Sequence, residues 1–254
     1  MGQDVRQVAG LTLKAMMERN FVNLTEESIE YFKENILRCY LDKNQTIRKT
    51  IANLINTFIR LGGMEIWPEI LNFLLKNLES ELGVGMSLET LNIIIEDSGS
   101  YLEDKFEKFL LQLIPKLANY LEKMGVVTNL DKTNQDLLVM VLSTVYVLLE
   151  NCPNKMSDDL GILVKILFNL HSSQNLSTRY QLGKCWLAIV RMKKEILIES
   201  FENLFNFFLH NFTVEHYEMN FISAEFFMVI IEENEEELIK EEIVANVLQN
   251  NLKK

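Results

Sequence analysis

The chain has 254 residues, 48% of them hydrophobic, with ten Gly and three Pro. That composition supplies ample material for a core and too little turn chemistry for an all-β fold. A balance of 25 basic against 36 acidic residues, a net charge of −11, opposes nucleic-acid binding, which needs positive charge to displace phosphate counterions, and favours partners with basic surfaces.

In chain order the hydrophobic periodicity is helical throughout. An opening helix over residues 4–19 is apolar on much of its circumference through Val5, Val8, Ala9, Leu11, Leu13 and Met16. Residues 25–41 carry Ile29, Phe32, Ile36, Leu37 and Tyr40. Residues 45–61 carry Ile47, Ile51, Leu54, Ile55 and Phe58, and the two form a pair across the polar turn Asp42-Lys43-Asn44, closed by Gly62-Gly63. Residues 65–78, with Pro68 near the first turn where proline is tolerated, pair with 84–95. Asp97-Ser98-Gly99-Ser100 reads as a stop before a helix over 106–124, in which Pro115 predicts a kink. The connection 125–134 is longer and more polar than the others and reads as a mobile or inserted loop. Helices follow over 135–150, 157–171, 177–192, 195–212 and 215–231. A last one over 235–252 opens on Glu235, Glu236 and Glu237, which suit the positive end of the helix dipole.

Helix pairs recurring at roughly 40 residues have the period of HEAT-type repeats. The expected fold is therefore all-α, a HEAT-repeat right-handed α-α superhelix (solenoid). Residues 3–254 would form one solenoid of about six repeats, each contacting only its neighbours. The first and last helices lack partners, so the chain reads as a fragment truncated at both ends. Function is then to be sought on an extended concave surface.

Chemistry finds little footing. Gly83 and Gly85 form a G-x-G with no preceding strand and no third glycine, which is a helix–helix turn and not a phosphate loop. His171, His210 and His216 lack a metal-binding spacing and read as surface histidines near helix ends. No local signature of a catalytic triad occurs. The expectation is a protein that is not an enzyme, with no catalytic residues, metal or cofactor. Cys39, Cys152 and Cys185 read as buried, reduced thiols of a cytosolic or nuclear protein. The aromatic cluster Phe201, Phe205, Phe207, Phe208, Phe212 and Tyr217 reads as core, with an exposed remainder such as Phe207 open to a partner. The 232–242 region reads as a solvated helix start, or a landing site for a basic partner. The apolar run 137–149 is shorter than the ~20 residues needed to cross a bilayer, and the first residues lack the apolar core of a signal peptide. Four N-x-S/T triplets, at Asn23, Asn44, Asn175 and Asn211, read as chance in an Asn-rich chain.

Several segments resemble a known family. The run from Val5 to Lys14, V-R-Q-V-A-G-L-T-L-K, is similar to the R-x-x-A-G-L-x-L-K-N helix of karyopherin-β nuclear transport receptors. Thr46-Ile47-Arg48-Lys49-Thr50-Ile51 followed by Trp67-Pro68-Glu69-Ile70-Leu71 resembles the next repeat and the W-P-E/D-L-L start after it. Leu91 to Ser98, L-N-I-I-I-E-D-S, resembles the L-x-x-I-C-E-D-S segment of the transportin (karyopherin-β2) branch. Glu225-Phe226-Phe227 resembles a later C-E-F-W helix. Ala15 departs from the family's Asn, and residues 125–134 depart from its fifth repeat.

The resemblance implies an N-terminal arch that binds the small GTPase Ran in its GTP form and couples it to release of cargo bearing nuclear localisation signals. Most of the cargo site would lie outside this chain. It implies shuttling between cytoplasm and nucleus, with no direct nucleic-acid or membrane partner. Candidate Ran contacts are Lys14, Glu96, Asp97, Glu103 and Asp104, the four acids placed at one helix end and in the turn after it. The alternative is a HEAT scaffold or adaptor of the phosphatase-regulatory or vesicle-coat type without GTPase binding, which shares the same physics.

Overall fold

The computed structural model describes residues 2–125, 130–156, 160–193 and 201–233, apart from the side chains of 98–106, 193 and 233. Its contacts divide the chain into two compact units, residues 1–170 and 171–254. Every described element is helical.

The first unit opens with α1 (Gln3–Asn20), α2 (Glu26–Arg38), α3 (Gln45–Gly62) and α4 (Glu69–Asn77). Local chemistry sets their ends. The Thr25 hydroxyl accepts the Ser28 amide at the start of α2, and the Asn44 side chain accepts the amides of Thr46 and Ile47 at the start of α3, satisfying donors that have no partner within the helix. Gly63, at φ 74°, terminates α3 in a conformation that side chains rarely adopt. Pro68 stands immediately before α4, where its missing amide is no loss. Phe58, fully buried, touches Phe21, Phe32 and Trp67 at ring distances of 5.7, 6.3 and 5.7 Å. Burying such a ring contributes roughly 1.5–3 kcal/mol.

The next element departs from expectation. The Asp97-Ser98-Gly99-Ser100 segment does not stop the helix; α5 runs unbroken from Val84 to Gly125. A glycine inside a helix costs only about 1 kcal/mol relative to alanine, and no proline follows to enforce an exit. Pro115 lies within α5, and both it and Leu111 are exposed. Proline lacks the amide that the Leu111 carbonyl would otherwise accept, and the exposure of both residues puts that loss on the solvent side of the helix. The two halves of α5 nevertheless act as members of different pairs. Near the start, Ser87 bonds to Tyr40 at 3.0 Å and Glu89 pairs with Lys49 at 3.6 Å. Near the end, Lys116 pairs with Glu79, and the Tyr120 hydroxyl donates to the Leu78 carbonyl at 2.5 Å.

α6 (Lys132–Asn151) begins earlier than the periodicity suggests, because the Asp131 carboxylate accepts the Asn134 amide. Of the expected connection 125–134, residue 125 belongs to α5 and 132–134 to α6; residues 126–129 lie outside the described residues. The short α7 (Pro153–Met156) and α8 (Leu160–Asn169) complete the first unit. Within it the second helices of successive pairs form a row: α1 packs on α3, α3 on the first half of α5, and that half on α6. Backbones approach closely along this row. A Cβ at Gly10 of α1 would collide with the γ-methyl of Thr50 on α3.

The second unit holds α9 (Leu176–Lys193), α10 (Phe201–Phe212) and α11 (Tyr217–Glu233). Asn175 accepts the Thr178 amide at 2.9 Å and so starts α9. Two of the N-x-S/T asparagines, Asn44 and Asn175, are thus helix caps, and Asn211 is buried. Phe208 and Phe226, both fully buried, stack at 4.0 Å between α10 and α11. Phe207 is buried, contrary to expectation; the exposed aromatics are Phe212, Tyr217 and Phe221. The expected last helix, 235–252, lies outside the described residues.

Two further assignments need correction. No disulfide links the cysteines, but Cys39 is exposed at the end of α2 while Cys152 and Cys185 are buried. Burial pushes the Cys185 thiol up to about 12. His171 is not a surface histidine: it stacks on Phe207 at 4.6 Å and meets Trp186 edge-on at 5.4 Å. Burial pushes its pKa down to about 4. The faces of these residues depend on which neighbours cover them, which periodicity does not encode.

Gly10→Ala should destabilise the first unit by about 1–2 kcal/mol, an overpacking penalty partly offset by better helix propensity. Adding Thr50→Ser removes the colliding methyl and should restore at least the wild-type midpoint in urea unfolding. A folded-state pKa of His171 below its ordinary 6.5 favours the neutral ring. Its contribution is therefore complete above pH 6.5 and is lost as pH falls toward about 4. His171→Phe keeps the stacking and removes the titration, so its thermal midpoint should fall less than that of the wild type between pH 6.5 and 4.

Candidate functional site

On α3 a polar stripe runs through Gln45, Lys49, Asn53, Asn56 and Arg60, spaced four, four, three and four apart; Gln45, Lys49 and Arg60 are exposed, Asn53 is half-buried and Asn56 is buried. Each neighbouring helix presents a matching edge. Arg60 pairs with Glu18 of α1 at 2.8 Å, Asn56 donates to Asp97 of α5 at 2.5 Å, and Lys49 pairs with Glu89 of α5 at 3.6 Å. Beyond α5, Asn92 reaches Ser143 of α6 at 3.5 Å. The row is thus tied across its open edge by polar contacts between helices, and this edge is the extended surface available to a macromolecule.

The residues expected to contact a partner are placed unequally. Glu96 and Asp97 are exposed and belong to this edge. They do not precede a turn, because α5 continues through them, so their accessibility comes from the stripe and not from a helix end. Asp97 is partly engaged by Asn56, while Glu96 points to solvent with no ion pair among the described residues. Glu103 and Asp104 fall within α5, but their side chains lie outside the described residues. Lys14 sits half-buried on α1, one turn before Glu18. α3 stands between it and the acidic pair, so the two are not brought together. Sequence reasoning missed Glu18, Lys49, Arg60 and Glu89. Their signal was opposite charge at about one repeat of separation.

In the second unit a pocket of about 270 Å³ is lined by His171, Gln174, Arg179, Asn203, Asn206 and His210 beside Phe207, and no acidic residue lines it. Arg179 is 6% exposed. Its guanidinium donates to the Asn211 side-chain oxygen and lies 5.9 Å from the Phe207 ring centre. Burial lowers its pKa. Among the described residues no three His, Cys, Asp or Glu side chains gather as a metal site, and no helix is long and apolar enough to cross a membrane.

No protein-family model matches the chain. Curated relatives do. It is 26% identical to transportin of Dictyostelium discoideum over 230 residues, covering 89% of the chain and 24% of the relative. It is 26% identical to importin subunit beta-2 of Schizosaccharomyces pombe, over 73% of the chain and 24% of the relative. It is 29% identical to human transportin-1 over 121 residues, or 46% of the chain. The chain thus spans about a quarter of the length of the first two. Among solved structures, importin beta crystallised in ammonium sulfate superposes with a TM-score of 0.72 at 15% identity, over 92% of the chain and 28% of importin beta. A Kap95:Nup1 complex gives 0.69 at 16% identity, over 98% and 30%. These likenesses show the fold, a HEAT-repeat solenoid. With the similarity to transportin and importin beta-2 along most of the chain, they support a karyopherin-β-like, transportin-like run of HEAT repeats.

Proposed function

We propose that this chain is the Ran-binding portion of a nuclear import receptor that moves between cytoplasm and nucleus. The observation that carries the reading is the similarity to transportin along 89% of the chain, joined to a helix edge on which Glu96 and Asp97 are exposed. The reading is of a binding protein that does no chemistry of its own. Ran in its GTP form would lie along the open edge of α1, α3 and α5, with Glu96 and Asp97 meeting basic groups and Lys14 contributing from the far side of α3. Glu103 and Asp104 belong to the same proposal by resemblance.

The mechanism is conformational. Each repeat contacts only its neighbours, and the ties across the edge are single ion pairs and hydrogen bonds worth at most about 1 kcal/mol each. A ligand spanning several repeats can therefore exchange these ties for its own contacts and select one inter-repeat arrangement. That selection couples GTPase binding to the release of cargo held elsewhere on the receptor, and the coupling is reciprocal. The net charge of −11 would speed encounter with a basic surface.

The chain immobilised on a sensor should retain Ran loaded with a non-hydrolysable GTP analogue and release Ran-GDP. Glu96→Lys should weaken the GTP-form complex by up to about fivefold, mainly through the association rate, with the effect shrinking at 0.5 M salt. Equal binding of both nucleotide forms, or of neither, would remove the assignment.

A further inference from the structure

We propose that the Arg179 pocket of the second unit is a docking site for a carboxylate side chain of an acidic peptide. This inference goes beyond the GTPase reading and does not depend on it.

The argument begins with a position that recurs. Arg6, Arg48 and Arg179 are each the fourth residue of a helix, α1, α3 and α9. The first two have a carboxylate at hand. Arg6 pairs with Asp42, in the turn of the following helix pair. Arg48 donates to the Asp42 and Lys43 carbonyls, and the Asn44 amide first, then Arg6 and last the charge of Arg48, lower the Asp42 pKa. Arg179 likewise reaches the following pair, but the residue it meets there is Asn211, an amide. Among the described residues it has no anionic partner, and its Nε makes no hydrogen bond. Arg179 is also the more deeply buried, with Arg6 more than a third exposed. A buried guanidinium without an anion is unfavourable, because its desolvation is repaid only by a close opposite charge and further hydrogen bonds. The Asn211 oxygen and the Phe207 face offset part of this. The remainder is an unmet demand for negative charge.

The pocket is built to supply that demand from outside. In a chain of net charge −11, none of its lining residues is acidic, and Arg179 is the sole arginine or lysine among them. Gln174, Asn203 and Asn206 place amide donors around the opening; these can take up carboxylate lone pairs that the guanidinium does not reach. Burial favours the neutral ring of His171, and Arg179 is the one arginine or lysine of the lining, a charge that a single carboxylate matches. The guanidinium fork binds carboxylates in a planar, two-bond geometry. A volume of about 270 Å³ accepts a glutamate or aspartate side chain with part of its backbone and excludes a folded domain.

The test uses a substitution that fills the demand from within. Asn211→Asp keeps the side-chain shape and places a carboxylate where Arg6 finds one. The Asn211 amide nitrogen makes no hydrogen bond among the described residues, so the exchange loses no bond. The full chain, in 0.15 M NaCl, is titrated against a fluorescein-labelled peptide of alternating Gly and Glu, with the Gly-Gln peptide as control. The Glu peptide should bind and the Gln peptide should not. Asn211→Asp should weaken binding at least tenfold and raise the thermal midpoint, while Asn119→Asp, the same charge change on exposed α5, should leave binding within twofold. Arg179→Gln should abolish binding if it folds; the Asn211 variant decides the matter if it does not. Wild-type binding by Asn211→Asp, equal loss in Asn119→Asp, or no binding of the Glu peptide at all would overturn the proposal. Displacement of the peptide by inorganic phosphate at lower concentration than by acetate would overturn the carboxylate assignment in favour of a phosphate site.

Discussion

A helix pair of this size can hide only the sides on which its two helices meet, and the remaining apolar faces must be covered by the next pair. Everything else in the first unit depends on that requirement. It forces α1, α3, the first half of α5 and α6 into a row close enough for Gly10 to sit against Thr50. The row buries Ile55, Phe58, Leu88, Leu91 and Leu142 completely. Each such side chain contributes roughly 1.5–3 kcal/mol. Nothing on the open edge of the row approaches that. The exposed pairs there are worth a few tenths to about 1 kcal/mol each, so they set register and carry little of the stability. Residues on the edge are therefore available for recognition without endangering the fold.

How much of this is legible in the sequence follows from where each signal resides. Helix identity and the repeat period are local patterns, and the breaks around α2, α3 and α4 were readable because Asn44, Gly63 and Pro68 act on their own neighbours. Gly99 was misread by the same logic. Gly63 ends α3 because it adopts φ 74°, whereas a glycine between serines can remain helical when nothing draws the chain into that conformation. Burial of individual residues was less legible. Phe207 lies on a helix, and Cys39 and His171 in the turns just after helices, that were assigned nearly correctly, yet their exposure depends on neighbours whose placement the pattern does not state.

The cross-helix ties were the least visible, and their regularity explains both the omission and a remedy. Asn56 and Asp97 are 41 residues apart, Glu18 and Arg60 42, and Tyr120 and Leu78 42. The separations are close to the repeat period itself, because the partners occupy equivalent places on successive pairs. A reading confined to helical spacings of three and four cannot see them. Polar residues compared one repeat apart would have found Glu18 with Arg60 and would have identified the open edge before any coordinates. That edge also gives Glu96 its accessibility. The helix-end argument led to the same residue by a route that the continuity of α5 removes.

Repetition has a further consequence for how sites arise. A structural position present in several copies is under the same geometric constraint in each, but its partner is supplied by a different stretch of chain. The fourth residue of α1, α3 and α9 shows this: the Asp42 carboxylate pairs with Arg6 and feels the charge of Arg48, while Arg179 meets Asn211. Loss of one negative charge leaves the backbone arrangement intact, because the guanidinium still spans to the next pair through a neutral acceptor and an aromatic face. What changes is electrostatic. The same atoms that close an internal ion pair in one repeat become, in another, a buried cation facing solvent across a pocket without acids. A solenoid can in this way turn a stabilising contact into a recognition element by a single side-chain exchange, at a place where the fold already holds the arginine rigid.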